Sequence, residues 1–161
     1  MLIRIQMATV TLMHPEERLR ELGLTLPEAP KPVAAYVPAV RTGDLVFTAG
    51  QGPFGSKFTG KVGAQVSIEQ AQEAARITCL NGLAVIKAEI GDLANVRRFV
   101  KLTVFVASAP GFTDQPLVAN GASELLEQVF GDDGKHARSA VGVAELPFDI
   151  PVEIEFVAEV R

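Results

Sequence analysis

Ser67-Ile68-Glu69-Gln70-Ala71-Gln72-Glu73-Ala74-Ala75-Arg76-Ile77-Thr78-Cys79-Leu80-Asn81-Gly82-Leu83-Ala84-Val85-Ile86-Lys87-Ala88-Glu89-Ile90-Gly91 is the stretch on which the fold turns. Ser67 and Gln70 have the spacing of a capping box, in which each side chain satisfies a backbone N–H of the other. Ile68, Ala71, Ala75, Cys79, Gly82, Leu83, Ile86 and Ile90 then recur at three- and four-residue steps, as one apolar helix face requires. Gly91 supplies the stop. The spacing predicts an amphipathic helix of about six turns.

Working outward, Val96 to Ser108 reads as a strand, with Phe99, Leu102, Val104 and Val106 giving much of its apolar content. A second helix is expected from Asp114, with Pro116 in its first turn, through Leu125, Leu126, Val129 and Phe130 to a stop at Gly131. Two strands, Ser139 to Leu146 and Val152 to Val160, close the chain. On the other side, Tyr36 to Val40 is an extended run, Arg41 to Asp44 a turn, and Leu45 to Gln51 a strand. Together they form a hairpin. Gly52 to Gly63 carries glycines at 52, 55, 60 and 63 plus Pro53, the composition of a loop.

Further upstream, Pro15 to Leu22 reads as a short helix stopped by Gly23, with acids near its positive end. Leu24 to Lys31, holding Pro27 and Pro30 with Pro32 following, is expected to be an extended connector on the surface. The order is helix, β, β, α, β, α, β, β: one α+β domain with a mixed sheet covered on one face by two long helices. In the last strand Val152, Ile154, Phe156 and Ala158 alternate with Glu153, Glu155, Val157 and Glu159. Both faces therefore carry material that needs cover, and an oligomer is the natural way to bury the second.

The chain has 161 residues, enough for one domain, with 48% hydrophobic and 21% charged residues, which excludes a disordered chain. A net charge of -4, with no basic run, repels polyphosphate, so nucleic acid is not expected as a partner. The single cysteine, Cys79, falls on the apolar helix face and reads as buried. His14 and His136 lie far apart, so no zinc-type ligand spacing exists, and no metal of that class is expected. Met1 to Met13 lacks the pattern of a signal peptide or a membrane span, which leaves the cytoplasm as the expected location. Met7 offers an alternative start.

Arg138 stands out. A guanidinium at the start of a strand, just after a Gly/Asp-rich loop, is well posed to grip a carboxylate with two parallel N–H bonds. The competing reading is a surface arginine paired with an acid. Tyr36 reads equally as a structural ring or a ligand contact, Asn120 as a helix packing group, and His136 as a solvated loop histidine. The Gly50 to Gly63 stretch lacks the Lys-Ser/Thr ending of a phosphate loop.

The run Arg138-Ser139-Ala140-Val141-Gly142-Val143-Ala144-Glu145-Leu146-Pro147, followed by Val152-Glu153-Ile154-Glu155, resembles the C-terminal signature of the RidA (reactive intermediate deaminase) or YjgF family. Gly43-Asp44-Leu45-Val46-Phe47-Thr48-Ala49-Gly50-Gln51 is similar to that family's N-terminal hairpin. Lys101-Leu102-Thr103-Val104-Phe105-Val106 resembles its central strand, and Asn120 with Glu124 falls where its second helix carries an Asn and an acid. The resemblance covers about Pro32 to Arg161, leaving residues 1–31 as an N-terminal extension with a short helix.

The resemblance implies a chorismate-mutase-like fold, assembled as a homotrimer with ligand clefts between subunits. It also implies cofactor-independent hydrolysis of small reactive enamines and imines to 2-keto acids and ammonia. In that scheme Arg138 clamps the substrate carboxylate and Tyr36 lines the cleft. Glu153 positions or activates water, Asn120 supports the pocket, and the backbone carbonyl near Ala140 helps hold the water. Three positions depart from the archetype: Ala140 replaces its cysteine, Ala49 its serine and Gly142 its acid. The pocket is therefore expected to be more apolar. The alternative is a non-catalytic module of the same fold that binds or senses a small carboxylate such as a 2-keto acid.

Overall fold

The computed structural model describes residues 13–29, 31 and 35–161. Met1 to Gln6, the alternative start at Met7, and the prolines at 30 and 32 lie outside the described residues. The helices are α1 (Pro15–Glu21), α2 (Ile68–Ile90) and α3 (Gln115–Phe130). The strands are β1 (Ala39–Thr42), β2 (Leu45–Thr48), β3 (Val96–Ala107), β4 (Ala137–Val143) and β5 (Val152–Val160). The expected order of elements is the observed one. Five strands form one sheet in the order β1-β2-β5-β3-β4, in which only β3 and β4 run parallel.

Local chemistry accounts for the element ends. The Ser67–Gln70 capping box closes in both directions, and the Gly91 N–H returns to the Lys87 carbonyl at the end of α2. Asp114 and Gly131 bound α3 as the sequence predicts. The first hairpin is tighter than expected. Arg41 and Thr42 belong to β1, and only Gly43 and Asp44 form the turn, with Gly43 at φ 57°. Ladder pairing ends at Thr48, after which Gln51 makes a separate bridge to Ile154. β4 is also displaced, starting at Ala137 and ending at Val143, where the chain bends at Ala144 before a turn over Pro147–Asp149.

The core lies on one side of the sheet. Leu102, Val104, Val106, Val152, Ile154, Phe156 and Ala158 are buried against Ala71, Ala75, Cys79 and Leu83 of α2 and Leu125, Leu126 and Val129 of α3. Burial raises the Cys79 thiol pKa far above its usual range, so the thiol is inert packing. Phe99 meets Phe130 edge to face, centroids 5.1 Å apart. Gly121 sets the α2–α3 approach: a β-carbon there would lie 2.1 Å from the Gln72 carbonyl oxygen. α1 is part of this domain's packing, since Leu19 is buried in the core and Arg18 donates to the Gln128 carbonyl at the end of α3. The opposite sheet surface carries exposed Val40, Phe47 and Val141, with Glu155 on the same side. Among the described residues, no helix is long and apolar enough to cross a membrane.

Candidate functional site

β4 is an edge strand, and its backbone geometry follows from one bond. The Ser108 N–H donates to the Val143 carbonyl, so Val143, Val141 and Ser139 turn their amides toward β3. By alternation Arg138, Ala140 and Gly142 turn theirs to the open edge. The Ala140 carbonyl is thereby free of the ladder. Side chains alternate too. Arg138 pairs in register with buried Leu102, so its side chain leaves the strand on the core side and meets α3.

There it enters a connected network. Arg138 Nη1 donates to Asn120 Oδ1 at 2.9 Å and to Ser123 Oγ at 3.0 Å. Ser123 Oγ lies 3.0 Å from His136 Nε2, and His136 Nδ1 lies 2.7 Å from the Gly134 carbonyl oxygen. A carbonyl only accepts, so Nδ1 carries the proton, and Nε2 of the neutral ring accepts from the Ser123 hydroxyl. Each N–H or O–H then has one acceptor, and from Arg138 through Ser123 the chain runs one way: guanidinium, hydroxyl, imidazole, carbonyl. The His136 pKa is lowered, first by burial and further by the Arg138 charge, against the raising effect of the Gly134 bond. A solvated loop histidine was the sequence expectation, and the fold overturns it. The extended residues just before β4 and the start of the strand turn His136 and Arg138 toward α3 together.

Ser123 had no role in the sequence reading. The signal was present in two spacings. Asn120 and Ser123 stand three apart on a helix and share a face, as do His136 and Arg138 two apart in an extended run. What was missing was the knowledge that these two faces meet.

A second cluster forms elsewhere. Tyr36, Ala49, Gly50, Phe54, Phe148 and Glu153 line a cavity of about 440 Å³. Glu153 pairs in register with Phe105, on the sheet surface opposite Phe156, and lies close against Gly50, where a β-carbon would overlap its carboxylate. Its pKa is raised, first by burial and then by the neighbouring Glu155 charge. Glu155, on the same face, is exposed. The structure thus joins Tyr36 to Glu153 and Arg138 to Asn120, but does not bring the two pairs together within one chain. Phe54, Phe148 and Ile150 were not anticipated, because nothing in the Gly52–Gly63 or Leu146–Pro151 composition marks a pocket wall. Among the described residues, no group of three or more His, Cys, Asp or Glu side chains is placed to hold a metal ion.

Comparisons with known proteins bear on this arrangement. The family model described as Endoribonuclease L-PSP matches residues 26–160. Protein TCP17 from Trypanosoma cruzi is 45% identical over 147 residues, covering 89% of this chain and 92% of that protein. A 2-iminobutanoate/2-iminopropanoate deaminase from Dermatophagoides farinae is 31% identical over 138 residues, covering 86% and 95%. The crystal structure of the protein Atu1372, of unknown function, from Agrobacterium tumefaciens superposes with a TM-score of 0.84 at 47% identity, covering 91% of each chain.

Proposed function

From the premise that this chain belongs to the Endoribonuclease L-PSP family, also called the RidA or YjgF family, we propose that it hydrolyses reactive imines and enamines of small carboxylic acids. The relative named as an iminobutanoate and iminopropanoate deaminase supports that reaction class. The observation that carries the reading is the Arg138 network. One guanidinium nitrogen is held by Asn120 and Ser123, and among the described residues no bond engages the others. A fork fixed at one prong and open at the other suits a substrate carboxylate.

The reaction asks little of the protein. Water adds through oxygen to the electrophilic imine carbon while the nitrogen takes up a proton. The carbinolamine then loses ammonia as the C–N bond breaks, and its hydroxyl proton leaves to give the 2-keto acid. Glu153, whose carboxyl is held above the usual carboxylate range by burial and by Glu155, is suited to pass protons in both steps. The Ala140 carbonyl, on the open-edge side of β4 by strand alternation, is the group that would orient the water in this reading.

In this reading the two halves meet between subunits of a homotrimer, Arg138 of one facing Tyr36 and Glu153 of the next. Support comes from the exposed apolar residues Val40, Phe47 and Val141 on the sheet surface that bears Glu153, and from the separation of the halves within one chain. The boundary between residues 1–31 and the rest is part of the proposal only as a difference of sequence, since Leu19 packs in the common core. A second reading, carboxylate binding without turnover, is favoured by Ala49, Ala140 and Gly142 standing where the archetype has polar groups. Imines generated by an amino-acid oxidase separate the two. Keto-acid release accelerated by the wild type and lost in Arg138→Ala supports hydrolysis. No acceleration over a panel of imino acids refutes it.

A further inference from the structure

The cavity beside Glu153 has one charged wall, and the rest is apolar and firmly built. Asn81, buried on α2, donates to the Gly52 carbonyl at 2.9 Å and to the Phe54 carbonyl at 3.3 Å, pinning that wall to the core. A β-carbon at Gly52 would lie 2.7 Å from Ile150 Cδ1 and 3.3 Å from Phe54 Cζ, so glycine lets these two side chains close over the backbone. Tyr36 adds a ring 47% exposed.

Phe148 is the unusual member. It is 70% exposed, and with φ at 58° it is followed by Asp149 at φ 55°. Two successive non-glycine residues in the left-handed region are strained, and such strain persists only where the surroundings enforce it. Here the Gly60 N–H donates to the Asp149 carbonyl at 2.8 Å and the Ile150 N–H to the Pro147 carbonyl at 3.3 Å. The result is an aromatic ring held out of the core at the rim of an apolar cavity. Rings in that position gain most when a bound group covers them.

We infer that the cavity receives the side chain of the substrate, and that this side chain is large and apolar, an aromatic ring or a branched aliphatic group, with Phe54, Ile150 and Phe148 setting the preference. This rests on the reading of Arg138, supplied by the neighbouring subunit of the proposed trimer, as the carboxylate clamp. A substrate with a methyl or methylene side chain would leave most of about 440 Å³ filled with water against apolar walls. A phenyl or isobutyl group displaces that water while the carboxylate remains on Arg138. The three polar groups absent at Ala49, Ala140 and Gly142 fit the same choice.

The test compares calorimetric binding of phenylpyruvate, 4-methyl-2-oxopentanoate and pyruvate to the full chain, its Phe148→Ala and Phe148→Leu variants, and Arg138→Ala. Oxidase-generated imines of phenylalanine, leucine and alanine give the parallel kinetic comparison. The expected result is binding of the two larger keto acids at least about tenfold tighter than pyruvate, the scale of a few well-packed methylenes. Phe148→Ala should shrink that ratio several-fold, and Phe148→Leu, which keeps an apolar rim, should restore most of it. Binding without preference, or preference for pyruvate, overturns this inference and leaves the clamp standing. So does a Phe148→Ala variant whose oligomeric state changes while its selectivity does not. Binding of all three unaffected by Arg138→Ala, or no binding at all, removes the clamp reading and this inference with it.

Discussion

Gly121→Ala reaches the site through the packing of α3. The added β-carbon would lie 2.1 Å from the Gln72 carbonyl oxygen, 2.8 Å from its carbon and 3.0 Å from Gln72 Cα. These are backbone atoms of α2, so no rotamer change relieves them. An ordinary C···O contact is about 3.3 Å, so the helices must part by about 1.2 Å. Overpacking of this kind costs about 1–3 kcal/mol, and the contact points to the upper end. Alanine recovers about 1 kcal/mol of helix propensity, leaving a net loss of about 1–2 kcal/mol. At about 2–4 °C per kcal/mol for a chain of this size, thermal melting followed by circular dichroism should fall by about 2–8 °C.

The same displacement is felt at the site. Asn120 and Ser123 flank Gly121 on α3 and hold Arg138 at 2.9 and 3.0 Å. If α3 takes up the whole shift and moves along these bonds, both distances approach about 4 Å, beyond hydrogen-bond range. Calorimetric titration with a 2-keto acid should then show weakened binding without any change to a group proposed to touch the ligand. A variant that melts at or above the wild-type temperature with unchanged affinity would refute both steps of the argument.

Two further outcomes follow from other parts of the fold. The folded His136 pKa lies below its ordinary value of 6.5, so between the two values the unfolded chain holds a proton that the folded chain does not. His136 therefore contributes stability that is present above about pH 6.5 and lost as pH falls through that window. Denaturant melts across the window should show a flatter slope for His136→Gln than for the wild type; equal slopes would rule out the buried neutral imidazole. Leu19→Ala removes a fully buried side chain that joins α1 to the core, at an expected cost of about 2–5 kcal/mol. A urea-melt difference below about 1 kcal/mol would mean that α1 is not part of the cooperative unit.

The element order was legible in the sequence because each signal was local. The Ser67–Gln70 box and the Ile68–Ile90 periodicity define α2, and Asp114, Pro116 and Gly131 bracket α3. The residues of the C-terminal signature were legible too, since Arg138, Leu146, Pro147 and Glu153 sit at readable spacings. Where the reading missed, non-local pairing decided. β4 begins two residues early because the partner strand β3 offers Lys101 and Leu102 to Ala137 and Arg138, which no window around residue 138 contains.

The site divides the same way. Residue type and position in the sequence singled out Arg138, and the family resemblance added Glu153, Tyr36 and Asn120. Only the tertiary structure decided that Ser123 and His136 stand behind Arg138, and that Phe54, Phe148 and Ile150 wall the space beside Glu153. It also decided that the Arg138 and Glu153 clusters leave the sheet on opposite sides. The physical reason is that a side chain's direction follows from its own strand or helix repeat, whereas its neighbours follow from how distant elements pack. Asn120 and Arg138 are 18 residues apart along the chain, and they meet because Gly121 lets α3 settle onto α2 beside the edge strand.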